Sequence, residues 1–115
     1  MSTTEDAPVA PAAGRIPELI QEAMSVTRSM PGLARLQELN LEIRAELRRL
    51  IPLVQRQVDQ INPRTTAWYS RERAIANTQG ELTEGLSPSP LAAALAVAEL
   101  GRCLRTLDQF AGGDR

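Results

Sequence analysis

The sequence has no histidine, no lysine, a single cysteine and three aromatic residues, and no apolar run approaches the roughly 20 residues of a membrane span. Each absence removes a class of function. Without His there is no Ser–His or Cys–His nucleophile pair and no zinc site drawing on imidazole. Without Lys there is no Schiff-base amine and no phosphate-loop lysine. Cys103 alone can form no intramolecular disulfide and no multi-cysteine metal site. Residues 1–14 contain Glu5 and Asp6 but no basic residue, so they lack the charged start of a signal peptide. These features predict a cytoplasmic protein with no cofactor, no metal and no membrane contact, and not an enzyme.

Charge of one sign is also missing. Thirteen basic and 14 acidic residues leave a formal net charge of -1. A surface for nucleic acid or anionic lipid would show as a basic excess, and the whole chain shows none. All the basic residues are Arg, which together with abundant Ala is the codon signature of a high-GC genome.

What is present is aliphatic and periodic. Hydrophobic residues make up 43% of the chain, while Trp68, Tyr69 and Phe110 are the only aromatics. A core of Leu, Ile, Val and Ala suits helices better than sheets. Leu33, Leu36, Ile43, Leu47, Leu50, Val54, Val58 and Ile61 recur at steps of three and four, with Asn40 between Leu36 and Ile43. That spacing predicts one long helix. Pro52 interrupts it, yet the apolar phase continues without a slip, which predicts a kink within one helix and not a break.

Shorter elements flank it. A first helix is expected from near Ile16, with Pro17 at its first position, to Pro31-Gly32. It carries Leu19, Ile20, Ala23, Met24 and Met30 on or beside one face. Asn62-Pro63 predicts the start of a third helix running to about Glu84. Ser89-Pro90 predicts the start of a fourth, ending near Ala111 before Gly112-Gly113. Its wide apolar arc marks it as the most buried helix, and Ala93, Ala94, Ala98 and Gly101 would admit a close neighbour. The expected fold is all-α: a small antiparallel four-helix bundle over residues 15–111 with a long, Pro-kinked second helix. Residues 1–14 are expected to be a disordered tail and residues 112–115 a C-terminal tail.

No motif carries specific chemistry. The candidate interaction residues are Leu39, Asn40, Ile51 and Leu53 on the long helix, and Trp68, Tyr69, Arg71 and Arg73 on the third. Leu39, Leu41, Ile51 and Leu53 fall off the main seam and widen the apolar arc enough for a second neighbour. A lone Asn40 in the seam can set register between paired helices, or it can make a local cap or solvent contact. Arg71 and Arg73 can bind an anion beside Trp68 and Tyr69, or pair with acids on other helices. Arg44, Arg48, Arg49 and Arg56 read as outward charges among Glu38, Glu42 and Glu46.

The order of elements resembles the small actinobacterial proteins grouped as domain of unknown function 6415, some of them labelled natural-product biosynthesis proteins. The resemblance covers roughly residues 16–110. It rests on the first amphipathic helix, Leu50-Ile51-Pro52, Arg73-Ala74-Ile75 leading to Leu82, and Leu100-Gly101-Arg102 followed by Leu104-Arg105-Thr106-Leu107. Leu53 stands where an acid often follows the Pro in that family. The resemblance implies a genomic context in natural-product metabolism and supplies no catalytic residues. The expected function is a non-catalytic helical protein that binds another protein, or itself as a homodimer. The alternatives are a nucleic-acid-associated transcriptional regulator and a small ligand-binding helical bundle.

Overall fold

A computed structural model describes residues 15–112. The expected tails fall on residues 1–14 and 113–115, outside the described residues. Gly112, expected in the C-terminal tail, is instead the last residue of a helix.

Four helices make up the described chain: α1 (Ile16–Ser29), α2 (Leu33–Gln60), α3 (Thr66–Leu82) and α4 (Pro90–Gly112). They form an all-α four-helix bundle, as the sequence predicts. α2 and α4 each pack against all three other helices, and α1 and α3 flank them with little mutual contact. Arg15 pairs with Glu42 and Glu22 with Arg35, so α1 and α2 run antiparallel. Gln57 meets Arg71 near one end of α3, and Arg44 reaches Leu82 at the other, so α2 and α3 are antiparallel too.

α2 is one helix of 28 residues that runs through Pro52 without a break. Pro52 cannot donate to the carbonyl of Arg48. Both residues lie on the exposed face, where water can satisfy that carbonyl. Buried Leu36, Leu39, Ile43, Leu47, Leu50, Val54 and Val58 form its inner stripe. This corrects the place given to Asn40. Leu39, three after Leu36 and four before Ile43, fills the seam, and Asn40 stands beside it. Leu39 is therefore core and offers no exposed surface.

Local signals explain the helix ends. At the end of α1, Met30 takes a left-handed conformation (φ 47°) and its N–H donates to Val26 O at 2.8 Å. Met30 is 41% exposed, so it is not the core residue its position on the apolar face suggested. α3 begins later than Asn62-Pro63 implied. Arg64 adopts a left-handed conformation (φ 71°), which ends any helix begun at Pro63. The Thr65 hydroxyl then caps α3 by accepting the Trp68 N–H at 3.3 Å. α4 starts at Pro90 as expected, with the Ala93 N–H donating to Ser89 O at 2.8 Å.

α4 is the centre of the core. Val97, Leu100, Leu104 and Leu107 are buried along it, and Ala93, Ala94, Ala98 and Gly101 keep its surface low. Full burial of each large aliphatic side chain stabilises the fold by roughly 1.5–3 kcal/mol. A Cβ at Gly101 would lie 2.5 Å from Cβ of Ala23, so α1 approaches α4 at a distance only glycine permits.

Candidate functional site

The most elaborate polar cluster lies where α3 ends. Arg44 is 9% exposed, which corrects its reading as an outward charge. Its Nε donates to Asn40 Oδ1 at 2.7 Å and its Nη1 to Leu82 O at 2.9 Å. Its Nη2 donates to the carbonyls of Glu81 and Glu84. The last carbonyls of a helix lack intrahelical donors, and a cation there also meets the negative end of the dipole. Arg44 thus caps α3 from a neighbouring helix. Burial raises the Glu81 carboxyl above its ordinary range, with Glu99 and Glu84 adding to the rise.

A second cluster ties the opposite end. Gln57 is buried; its Nε2 donates to Phe110 O at 2.9 Å and its Oε1 accepts from Arg71 Nε at 2.9 Å. Arg71 also donates to Ala67 O at 3.1 Å, and its guanidinium carbon sits 4.5 Å from the centre of the Phe110 ring. Its donors are thus engaged with a carboxamide, a carbonyl and a ring. Trp68 and Tyr69 meet edge to face at 5.0 Å. Trp68 is half-buried, Tyr69 is 51% exposed, and Arg73 points into solvent three residues from Ala76 on the outer side of α3. Trp68, Tyr69 and Arg71 share the first turns of α3; Trp68 packs against the core and Arg71 bridges to α2 and α4. Ile51 and Leu53 are partly buried and pack against the core.

Two concavities lie between helices of the described chain. A cavity of about 100 Å³ between α3 and α4 is lined by Asn77, Thr78, Glu99, Arg102, Cys103 and Thr106. Burial pushes the Cys103 thiol up, away from the thiolate a nucleophile needs. An open cleft of about 470 Å³ lies between α1 and α4, with Pro17, Ile20 and Met24 on one side and Arg105, Asp108 and Gln109 on the other. Among the described residues, no group of His, Cys, Asp or Glu is placed to hold a metal ion. No described helix is long and apolar enough to cross a membrane. Large apolar side chains do stand on the outside: Leu41 is 68% exposed, Leu91 58% and Leu95 54%.

Sequence reasoning missed Arg44, Gln57 and the α1–α4 cleft. Gln57 carried a signal, since it falls three residues after Val54 on the buried stripe. Arg44 carried a weaker one, a position one turn after Asn40 at the stripe's edge. The cleft depends on how two helices cross, which no local pattern records.

The geometry defines a small all-α bundle whose buried side-chain polar groups are all satisfied internally among the described residues. The chain belongs to the family of unknown function DUF6415, whose model matches residues 14–111. No curated protein and no solved structure matches it.

Proposed function

We propose that this chain is a non-catalytic module that works by binding another protein. The observation that supports this most is the exposure of Leu41, Leu91 and Leu95, each more than half open to solvent on an otherwise well-packed bundle. Tyr69, also more than half exposed, is a residue type enriched in protein interfaces. The polar clusters support the same reading. Arg44, Gln57 and Arg71 are spent on holding helices together and not on a ligand-facing wall. A second copy of the chain is the simplest alternative partner. The role proposed for Asn40 in such a dimer loses support, because its carboxamide is engaged by Arg44. As a setting we propose an accessory or regulatory role in actinobacterial natural-product metabolism. That rests on the labels of some family members and on a basic complement made wholly of Arg.

The test substitutes Glu at Leu41, Tyr69, Leu91 and Leu95 one at a time and recovers the full chain from its own cells. The fold, followed by circular dichroism, should be unchanged in all four. At least one substitution should remove a co-purifying protein. Four variants with the same retinue as the parent, or with none in any case, would contradict the reading.

A further inference from the structure

We propose that α3 is a releasable lid: it leaves the bundle as a unit while α1, α2 and α4 stay packed, and its release uncovers Cys103 and the face that α2 and α4 present to it. Such a release needs no partner and stands apart from the protein-binding reading.

Little apolar surface holds α3 down. Its 17 residues bury Ala74, Ile75 and Thr78, whereas the 14 residues of α1 bury Ile16, Leu19, Ala23 and Val26. Among the described residues, Ala74 and Ile75 are the only buried hydrophobic ones that α3 supplies to the core. Trp68 and Leu82 add partial burial near its two ends. The packing beneath it is incomplete as well. The cavity of about 100 Å³ lies between Ala74 and Thr78 of α3 and Cys103 and Thr106 of α4. Side chains beside a void lose the contacts that would fill it. By contrast, α2 and α4 carry long buried stripes, and Gly101 brings α1 hard against α4. Those three helices keep most of the core when α3 is away. Helices with few buried apolar contacts are the ones that open below the free energy of global unfolding.

What fastens α3 is polar and sits at its ends. Arg44 donates to Leu82 O at 2.9 Å and to the carbonyls of Glu81 and Glu84. At the other end Gln57 accepts from Arg71 Nε at 2.9 Å, and the Arg71 guanidinium lies over the Phe110 ring. Water takes over each of these hydrogen bonds once α3 lifts, so their net hold is modest. Residues 62–65 and 83–85, on either side of α3, are exposed and free to move with it. Arg64 is left-handed (φ 71°), a strain that release removes. A helix of this length is marginal alone in water, and Gly80 within it weakens it further, so α3 unwinds as it leaves. Cys103 is 8% exposed and faces α3 across the cavity, so its thiol reports the release.

The test is native-state hydrogen exchange of the full chain, run beside labelling of Cys103 with a bulky aromatic disulfide. The α3 amides and Cys103 should open together, at least roughly tenfold more often than the slowest amides of α4. Urea should promote that opening weakly, because little surface is exposed, and the opening of the α4 amides strongly. Two mild variants separate release from whole-chain unfolding. Ile16→Val in α1 should speed the slowest α4 amides roughly fivefold and leave α3 and Cys103 unchanged, since α1 stays packed in the opened form. A Cβ at Gly80 meets nothing within 4 Å, so Gly80→Ala should slow α3, Cys103 and α4 alike by about threefold. The proposal is overturned if α3 and Cys103 open only as often as the slowest α4 amides, or if the α1 amides open with them. Equal acceleration of all three by Ile16→Val, no slowing of Cys103 by Gly80→Ala, or Cys103 reacting ahead of the α3 amides would overturn it too.

Discussion

The carboxamide of Asn40 accepts a 2.7 Å hydrogen bond from Nε of Arg44, one turn further along α2. That contact aims the guanidinium across to the end of α3, where three main-chain carbonyls accept from it. Arg44→Leu removes every one of these donors from a nearly buried position. We expect a loss of about 2–4 kcal/mol in urea unfolding, since backbone acceptors are left without partners. Asn40→Ala should lose about 1 kcal/mol, and much less once Arg44 is already Leu. Independent, additive losses would show that Asn40 does not act through Arg44.

Gly101→Ala forces a methyl group against Ala23. Overpacking of this kind costs about 1–3 kcal/mol, and the better helix propensity of Ala returns up to about 1. A net loss of roughly 1–2 kcal/mol in thermal or urea unfolding is expected, and Ala23→Gly in the same chain should recover part of it. A gain in stability from Gly101→Ala would show that α1 and α4 do not approach so closely.

Met30 holds a left-handed conformation while 41% exposed, so it bears conformational strain without full burial to offset it. Met30→Gly should stabilise the chain by up to about 1 kcal/mol, read as a rise in melting temperature. A fall would mean that the Met30 side chain contributes more packing than its exposure suggests.

Acid should act in two opposed steps. The Arg35 guanidinium, hydrogen-bonded to Glu22 at 2.6 and 2.7 Å, holds that carboxyl below its ordinary range. A depressed acid stabilises the fold above its unfolded pKa and loses that contribution as pH falls through the folded one. Glu81 is raised, chiefly by burial, so its charge destabilises the fold near neutrality and its protonation relieves this as pH falls. Mild acidification should leave stability level or slightly higher before the loss sets in. Glu81→Gln should remove the mild-acid gain and Glu22→Gln should blunt the later loss. A Glu81→Gln profile identical to the parent's would contradict the first step.

The legible part of this fold was its periodicity. Residues 33–61 read as one helix because the phase ran on across Pro52, and Ser89-Pro90 marked the start of α4. Asn62-Pro63 is a sound initiation signal that a left-handed Arg64 cancels, and nothing in an Arg announces that backbone. Leu39 and Asn40 are adjacent at the point where the stripe passes from Leu36 to Ile43, and only packing decides that Leu39 fills the seam. The candidate surface was half legible. Trp68 and Tyr69 stood out as rare aromatics, but Arg71 beside them is engaged by Gln57 and Phe110, partners distant in sequence. The wide apolar arc of α4 includes Leu91 and Leu95, which are exposed, because an arc does not record which part of it a neighbour covers.

The role proposed for this chain is to work bound to another protein. Its most direct measurement is the apparent mass of the protein in a fresh extract of its own cells, set beside the purified chain of 12.5 kDa. Size-exclusion chromatography with an antibody against the chain reads both. A heavier species is expected in the extract than in the purified sample, reduced by at least one of the Glu substitutions at the exposed apolar residues. The same small mass in both, unmoved by any substitution, would contradict it.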